Sequence, residues 1–407
     1  MRSEDPVGII EIGDKKITCL IFKINNNNLE VLSTNTNSSE GFYNDKVTNL
    51  TKATNAVRSC ISDAEKKAKI SLKKINVIFE QPDFLCTKFS KHKKINGAKI
   101  LRDDIEFLLK EAKKQLIYND NSQSIIHIFN YNYVVDGKNF VEEPIDVYAD
   151  SLTHEMTFIT APKNNLKNIN QIFIDCDIEV DRFISRTFTL GVKLLNDKEL
   201  QFGSAIINLG FEKVSLGIFK NLALVYSLTI PIGINHIIKD ISKVCSLNLE
   251  ESEIIKKKFD FSFENNFTLF DDNSYLKKDF FVSSNFRKIS KNLIFDVIKA
   301  RLDEIFIKLK RQLVLPNFSL SSGMKILLLS EETELNNIEK YCQNFFGQNI
   351  IKKSENNNKH KDSEKNFISS LGALKIIKDG WETEAIPKNR DRNFEKMGFF
   401  AKIFKNI

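Results

Sequence analysis

The chain has 407 residues, 42% apolar and 28% charged, a composition ordinary for a globular fold and long enough for two large lobes. Its 60 basic and 53 acidic residues leave a net charge of +7, which describes mixed surfaces and implies no nucleic-acid partner. No stretch approaches the roughly 20 apolar residues that cross a bilayer, and the charged residues 1–6 lead straight into a strand, unlike a signal peptide.

Residues 7–12 and 16–24 are apolar, β-branched runs around Gly13, which is a hairpin signal. Residues 25–28 supply a second turn and 29–33 a returning strand. Over 48–70, Leu50, Ala53, Val57, Ile61, Ala64 and Ala68 recur at helical spacing, and 75–79 read as another strand. The order β-β-β-α-β predicts a ribonuclease-H-like half-domain over 1–80. From Gln81 the rhythm changes to a helix over 99–116 and strands over 125–135, 146–149 and 155–160. That pattern predicts a small α/β insertion over 81–160. A helix over 166–176 and a strand over 180–185 then return the chain, through 161–200, to the first lobe.

A second lobe is expected over 201–378. Residues 205–209 and 214–219 form a hairpin and 222–229 a third strand, repeating the opening of the chain, so the sequence carries an internal duplication. Helices follow over 233–244, 250–258 and 292–313, with a polar, Phe-rich strand and loop over 260–284; 235–315 reads as a smaller subdomain. A strand over 325–329 and helices over 334–345 and 367–377 complete the lobe. Residues 352–366 are low-complexity and 379–392 a polar linker.

Cys19, Cys60, Cys86, Cys176, Cys245 and Cys342 lie far apart without a CxxC pair, and the five histidines are equally scattered. Neither set has metal-ligand spacing, so free thiols in a reducing cytoplasm are expected and no metal site.

Asn393 is a candidate N-cap for a last helix over 394–407. On a helical wheel, Phe394, Met397, Phe400, Ala401, Ile403, Phe404 and Ile407 share about half the circumference. Lys402 and Lys405 lie opposite, and Lys396 sits at the edge, where it can snorkel. Six basic residues against two acidic ones flank this stretch from 388 onward. At about 21 Å the helix is too short to span a bilayer. Packing on the protein's own core is the usual fate of such a helix. Here the linker, the Phe content and the basic flank favour an in-plane membrane helix that meets anionic lipid. Its four Phe give at most about 6–12 kcal/mol of gross transfer energy, before incomplete burial and helix ordering reduce it. One copy binds marginally, and many copies on one polymer bind well.

Glu11-Ile12-Gly13-Asp14-Lys15-Lys16 after a strand resembles the first phosphate hairpin of the actin/Hsp70/sugar-kinase superfamily. Asn208-Leu209-Gly210-Phe211-Glu212-Lys213 stands where its second would be, and the strand 325–329 with Ser330-Glu331-Glu332 stands at the nucleotide-facing Gly-Gly turn. The resemblance narrows to the FtsA family of bacterial cell-division proteins over nearly the whole chain. It is carried by Glu11-Ile12-Gly13, Ile230-Pro231-Ile232-Gly233, Asp240-Ile241 and Ser252-Glu253-Ile254-Ile255-Lys256. Val297-Ile298-Lys299-Ala300-Arg301-Leu302-Asp303-Glu304-Ile305, Ser370-Leu371-Gly372-Ala373-Leu374, the insertion and the amphipathic tail add to it.

The resemblance implies an actin-like fold with an inserted subdomain, assembly with itself into membrane-bound filaments, and recruitment of later division proteins at the septum. It also implies that the tail of FtsZ docks on the second lobe, for which Arg301, Glu304, Lys299 and Lys308 are the candidates; a solvated helix face is the alternative. The implied cofactor is ATP with Mg²⁺, with Glu11, Gly13, Lys16, Asn208, Gly210, Glu253 and Lys256 as the candidate site. Here the sequence departs from the pattern. Asn208 replaces a metal-organising Asp, Phe211 and Glu212 replace two glycines, Asp14 replaces a small hydroxyl residue, and Ser330 and Glu331 replace the last Gly-Gly. Added carboxylates repel a triphosphate by about 1 kcal/mol per unit pair at 4 Å in water-like surroundings, and more if buried. The expectation is weak or absent ATP binding, essentially no hydrolysis, and no enzyme. Two rivals stay open: a pilus-assembly relative of the same fold that grips an inner-membrane partner's peptide, and an active ATPase of the chaperone or sugar-kinase type.

Overall fold

A computed structural model describes residues 6–25, 28–140, 143–314, 324–330, 335–347, 350–352 and 366–378. The expected linker at 379–392, the expected membrane helix with all its residues from Phe394 to Ile407, Glu331 and Glu332, and most of the low-complexity stretch lie outside the described residues. The chain divides into two compact units. One comprises Met1–Ser204, Gly217–Leu228 and the described part of His360–Ile407; the other comprises Ala205–Leu216 and Thr229–Lys359.

The first unit opens with β1 (Val7–Ile12), β2 (Lys16–Asn25) and β3 (Asn28–Ser38), paired antiparallel in sequence order. A short hairpin, β4 (Phe42–Tyr43) and β5 (Lys46–Val47), precedes α1 (Leu50–Ala68), and β6 (Lys74–Phe79) returns parallel to β1. Asn49 caps α1 by accepting the Lys52 N–H, and Ala53, Val57, Cys60, Ile61 and Ala64 form its buried stripe, as the spacing predicts.

The insertion holds β7 (Leu85–Lys99), α2 (Arg102–Asn119), β8 (Gln123–Val135), β9 (Lys138–Phe140) and β10 (Tyr148–Pro162), with sheet order β7-β10-β8-β9. Ile105, Leu108, Leu109, Ala112 and Leu116 of α2 close its core. Sequence patterning missed β7, whose Lys-rich residues are largely exposed on both faces and so lack apolar alternation. Its ladder to β10, which is one strand rather than two, holds it in place. The chain then runs through α3 (Lys163–Ile174), β11 (Glu179–Ser185), α4 (Arg186–Leu194) and α5 (Asp197–Phe202). With β11 parallel to β6, the first sheet reads β11-β6-β1-β2-β3.

The second five-stranded sheet contains β12 (Ser204–Leu209), β13 (Val214–Lys220), β14 (Ala223–Ile230), β15 (Lys325–Leu329) and β16 (Ile350–Lys352). Its order, β14-β13-β12-β15-β16, repeats that of the first, so the duplication expected from the two hairpin-led halves is a duplication of topology. Around it stand α6 (Ile234–Cys245), α7 (Leu249–Lys258), α8 (Lys291–Val314) and α9 (Ile338–Phe346). The Phe-rich stretch after α7 forms isolated bridges rather than a full strand, and Phe259, Phe263 and Phe295 meet edge to face at 5.2–5.3 Å.

The last described helix, α10 (Ile368–Lys378), was expected in the second lobe but packs on α4 in the first unit. Close approach explains this: a Cβ on Gly372 would stand 2.0 Å from the Thr189 carbonyl oxygen, so only glycine lets the two helices meet so closely. No described helix is long and apolar enough to cross a membrane.

Candidate functional site

The seven candidate nucleotide residues divide between the units, with Glu11, Gly13 and Lys16 in the first and Asn208, Gly210, Glu253 and Lys256 in the second. At the first hairpin, the Gly13 N–H donates to the Lys16 carbonyl at 3.0 Å, closing the turn between β1 and β2. Lys16 Nζ donates to Asn366 Oδ1 at 2.6 Å.

Glu11, 9% exposed at the end of β1, lies against Arg186, the first residue of α4, with Nε 2.7 Å from Oε1. Arg186 Nη2 also donates to the Ile12 carbonyl at 2.5 Å and lies 3.6 Å from Asp45 Oδ2. Asp45 reaches this point from the two-residue turn of the β4–β5 hairpin, where Asn44 and Asp45 both adopt positive φ (50° and 56°), a conformation that Asn and Asp tolerate. The Glu80 N–H donates to Asp45 Oδ2 at 2.8 Å, and Glu80 Oε2 accepts from Ser185 Oγ at 2.9 Å and from the Thr187 N–H at 2.8 Å. The Ser185 N–H donates to His127 Nε2 on β8 at 2.9 Å; burial, with the charge of Arg182, pushes His127 down to about 3. Sequence reasoning missed Asp45, Glu80 and Arg186. For Glu80 the signal was available, a charge at the end of the apolar strand Lys74–Phe79, where burial demands a partner.

At the second hairpin Asn208 is half-buried on β12. The hairpin is joined to the start of α6: Ile234 N–H donates to the Gly210 carbonyl at 3.1 Å and Asn235 N–H to the Phe211 carbonyl at 2.8 Å. A Cβ on Gly233 would come 2.3 Å from the Phe211 oxygen, so this junction requires glycine. Glu212 turns onto α6, accepting from Asn235 Nδ2 at 2.5 Å with Lys239 Nζ 3.8 Å away, so its charge is already answered within the unit. On α7, Glu253 is exposed and Lys256 is 6% exposed, one helical turn apart. Ser330 is buried at the end of β15.

The partner-binding candidates gather on α8. Arg301 bonds bidentately to Asp240 of α6 and donates through Nη1 to Glu304 at 2.5 Å, and Glu304 in turn accepts from Lys308 at 2.6 Å. Lys299 is exposed beside them. Together Asp240, Val244, Val297, Ala300, Arg301 and Glu304 line a shallow groove between α6 and α8, with Val244 51% exposed at its rim. In the fold the Arg301 and Lys308 charges are paired with carboxylates, Glu304 on the same helix and Asp240 on α6.

Two five-stranded sheets of one order, each opened by a hairpin, with a four-stranded domain inserted in the first half, define an actin-like protein. The model of the SHS2 domain inserted in FtsA matches residues 85–160, and that of the cell division protein FtsA matches 205–372. The chain belongs to the FtsA family of cell-division proteins. FtsA of Rhizobium meliloti is 20% identical over 355 residues, covering 84% of this chain and 80% of that protein. FtsA of Buchnera aphidicola (subspecies Schizaphis graminum) is 24% identical over 301 residues, covering 73% and 70%. Among solved structures, the PilM–PilN type IV pilus biogenesis complex aligns with a TM-score of 0.61 at 12% identity, covering 91% of this chain and 98% of that one. ADP-bound MreB5 of Spiroplasma citri aligns with a TM-score of 0.53 at 12% identity, covering 93% and 98%. At these identities the likeness is one of fold.

Proposed function

We propose that this protein is a cell-division adaptor that binds the C-terminal tail of FtsZ and tethers FtsZ polymers to the cytoplasmic face of the cell membrane. It assembles with itself into actin-like filaments and recruits later division proteins. The helix 393–407 is its peripheral anchor on anionic lipid, and its affinity is multiplied by assembly. The nucleotide site is eroded, so Mg-ATP binds weakly or not at all and hydrolysis is essentially absent.

The observation that carries the docking reading is the groove between α6 and α8. It offers an exposed apolar rim at Val244 and a charge-paired floor at Arg301, Asp240 and Glu304, in a form suited to a short amphipathic peptide. Membership of the FtsA family supports the same reading. The pilus-assembly rival rests on likeness of fold alone.

The test uses the full chain. It is expected to bind an FtsZ tail peptide and to sediment with anionic vesicles, whereas residues 1–392 keep the peptide affinity and stay in the supernatant. Arg301→Glu is expected to lose the peptide and keep the vesicles. Unchanged peptide affinity in Arg301→Glu would remove the docking assignment, and sedimentation of 1–392 would place the anchor elsewhere. Micromolar Mg-ATP affinity by calorimetry would overturn the eroded-site reading.

A further inference from the structure

We infer that Arg186 is a built-in cation standing in for the divalent metal at the first phosphate hairpin, so that a side chain of the protein, not a metal–nucleotide complex, holds β1, the β4–β5 turn and α4 together. This deepens the eroded-site reading and rests on it for the identity of the hairpin.

Three carboxylates converge on the start of α4: Glu11 at 9%, Asp45 at 0% and Glu80 at 1% exposure, around an Arg186 that is itself 7% exposed. Buried carboxylates need charged or hydrogen-bonding partners, and a guanidinium keeps its charge at any accessible pH. Glu80 accepts from Ser185 Oγ and the Thr187 N–H, and Asp45 receives the Glu80 N–H with Arg186 Nη2 3.6 Å away. Glu11, the acidic residue of the first phosphate hairpin, meets the guanidinium at 2.7 Å.

Hydrated Mg²⁺ requires near-octahedral oxygen coordination and retains several waters. A carboxylate already bridged to a guanidinium cannot organise that shell, and a second positive centre a few ångströms from the first is repelled. The residues present therefore do not fit the ion. Arg186 is held there from two directions. Ser185 both caps α4, accepting the Phe188 N–H, and donates its own N–H to His127 of the insertion. Arg186 then spans from that fixed point to the Ile12 carbonyl beside the Gly13 turn.

The test compares thermal unfolding of the full-length wild type, Glu11→Gln, Arg186→Met and the double variant, in EDTA and in millimolar MgCl₂, with Mn²⁺ binding read by electron paramagnetic resonance. The wild type is expected to show no metal shift and no bound Mn²⁺. Arg186→Met melts lower in EDTA, gains several degrees in Mg²⁺ and binds Mn²⁺. The double variant loses that metal response and recovers part of the lost melting temperature. A wild type stabilised by Mg²⁺, or an Arg186→Met variant indifferent to metal, overturns the inference. Should Arg186→Met fail to fold, Arg186→Lys serves: Glu11→Gln then costs fewer degrees in the Lys background than in the wild type, and equal losses overturn the inference. Mg-ATP binding by the wild type would refute the eroded-site reading itself, whereas no ATP binding with Glu11 and Arg186 uncoupled would refute this inference alone.

Discussion

Arg301 on α8 closes on Asp240 of α6 with both arms of its fork, Nε to Oδ2 at 2.6 Å and Nη2 to Oδ1 at 3.0 Å. The hydrogen bonds that Arg301 donates to Asp240, with the charges of Asp240 and Glu304, push the Arg301 pKa up, so the guanidinium is locked in both charge and direction.

Breaking that fork separates affinity from folding. Asp240→Asn keeps the shape and removes the charge, and is expected to cost about 1 kcal/mol of stability for a partly exposed bidentate pair. Arg301→Lys keeps the charge without the fork and is expected to weaken FtsZ-peptide binding less than Arg301→Glu, which gathers like charges at Asp240 and Glu304 and lowers affinity at least tenfold, about 1.4 kcal/mol. Fluorescence anisotropy of a labelled tail peptide, with denaturant melts, reads both; equal affinities for the Lys and Glu variants would contradict it.

Glu251, 1% exposed on α7, accepts the Ser283 and Ser284 N–H groups at 2.7 and 2.9 Å, Ser284 Oγ at 2.5 Å and the Asn248 N–H at 3.0 Å. Burial opposes ionisation, but these donors hold the carboxyl down at about 2. A folded pKa below the unfolded one stabilises the fold above about pH 4.3, and that contribution is lost as the pH falls toward 2. Glu251→Gln is expected to cost about 1–3 kcal/mol at neutral pH and to flatten acid unfolding in that window. Unchanged acid unfolding in the variant counts against the assignment.

The insertion carries a second acid sensitivity. Burial keeps His127 and His154 neutral, each with a pKa lowered to about 3; His154 stacks on Tyr133 at 4.4 Å and bonds Asn130 at 3.0 Å. Below about pH 6.5 the unfolded chain gains protons that the folded one refuses, so stability falls with acidification toward pH 3, by up to about 1.4 kcal/mol per pH unit for each histidine. Amide exchange in β8 and β10 across pH 4–7 should show this slope, reduced in His154→Phe. An unaltered slope in that variant would deny His154 its share.

Gly372→Ala should loosen α10 from α4, because the added Cβ meets the Thr189 backbone rather than a flexible side chain. A cost of about 1–3 kcal/mol is expected for such overpacking, with faster amide exchange in α10. A variant as stable as the wild type would mean that the helices can separate without loss.

The sequence by itself determined the elements whose signals are local. The α1 stripe, the paired hairpins and the repeated hairpin-led halves are legible because apolar periods of 3.6 and 2 are written along the chain. The order of the motifs was legible too, and with it the family. Tertiary structure decided what depends on residues far apart in sequence. β7 exists through its ladder to β10, not through its own pattern. α10 packs on α4 in the first unit, where Gly372 lets the two backbones meet. Arg301 gained its bidentate partner only when α6 brought Asp240 to it. The partner of Glu11 arrived from α4, and the β4–β5 turn brought Asp45 to the same guanidinium, with Ser185 and Glu80 themselves 105 positions apart. A buried charge specifies that a partner must exist, but only the folded chain specifies which residue supplies it.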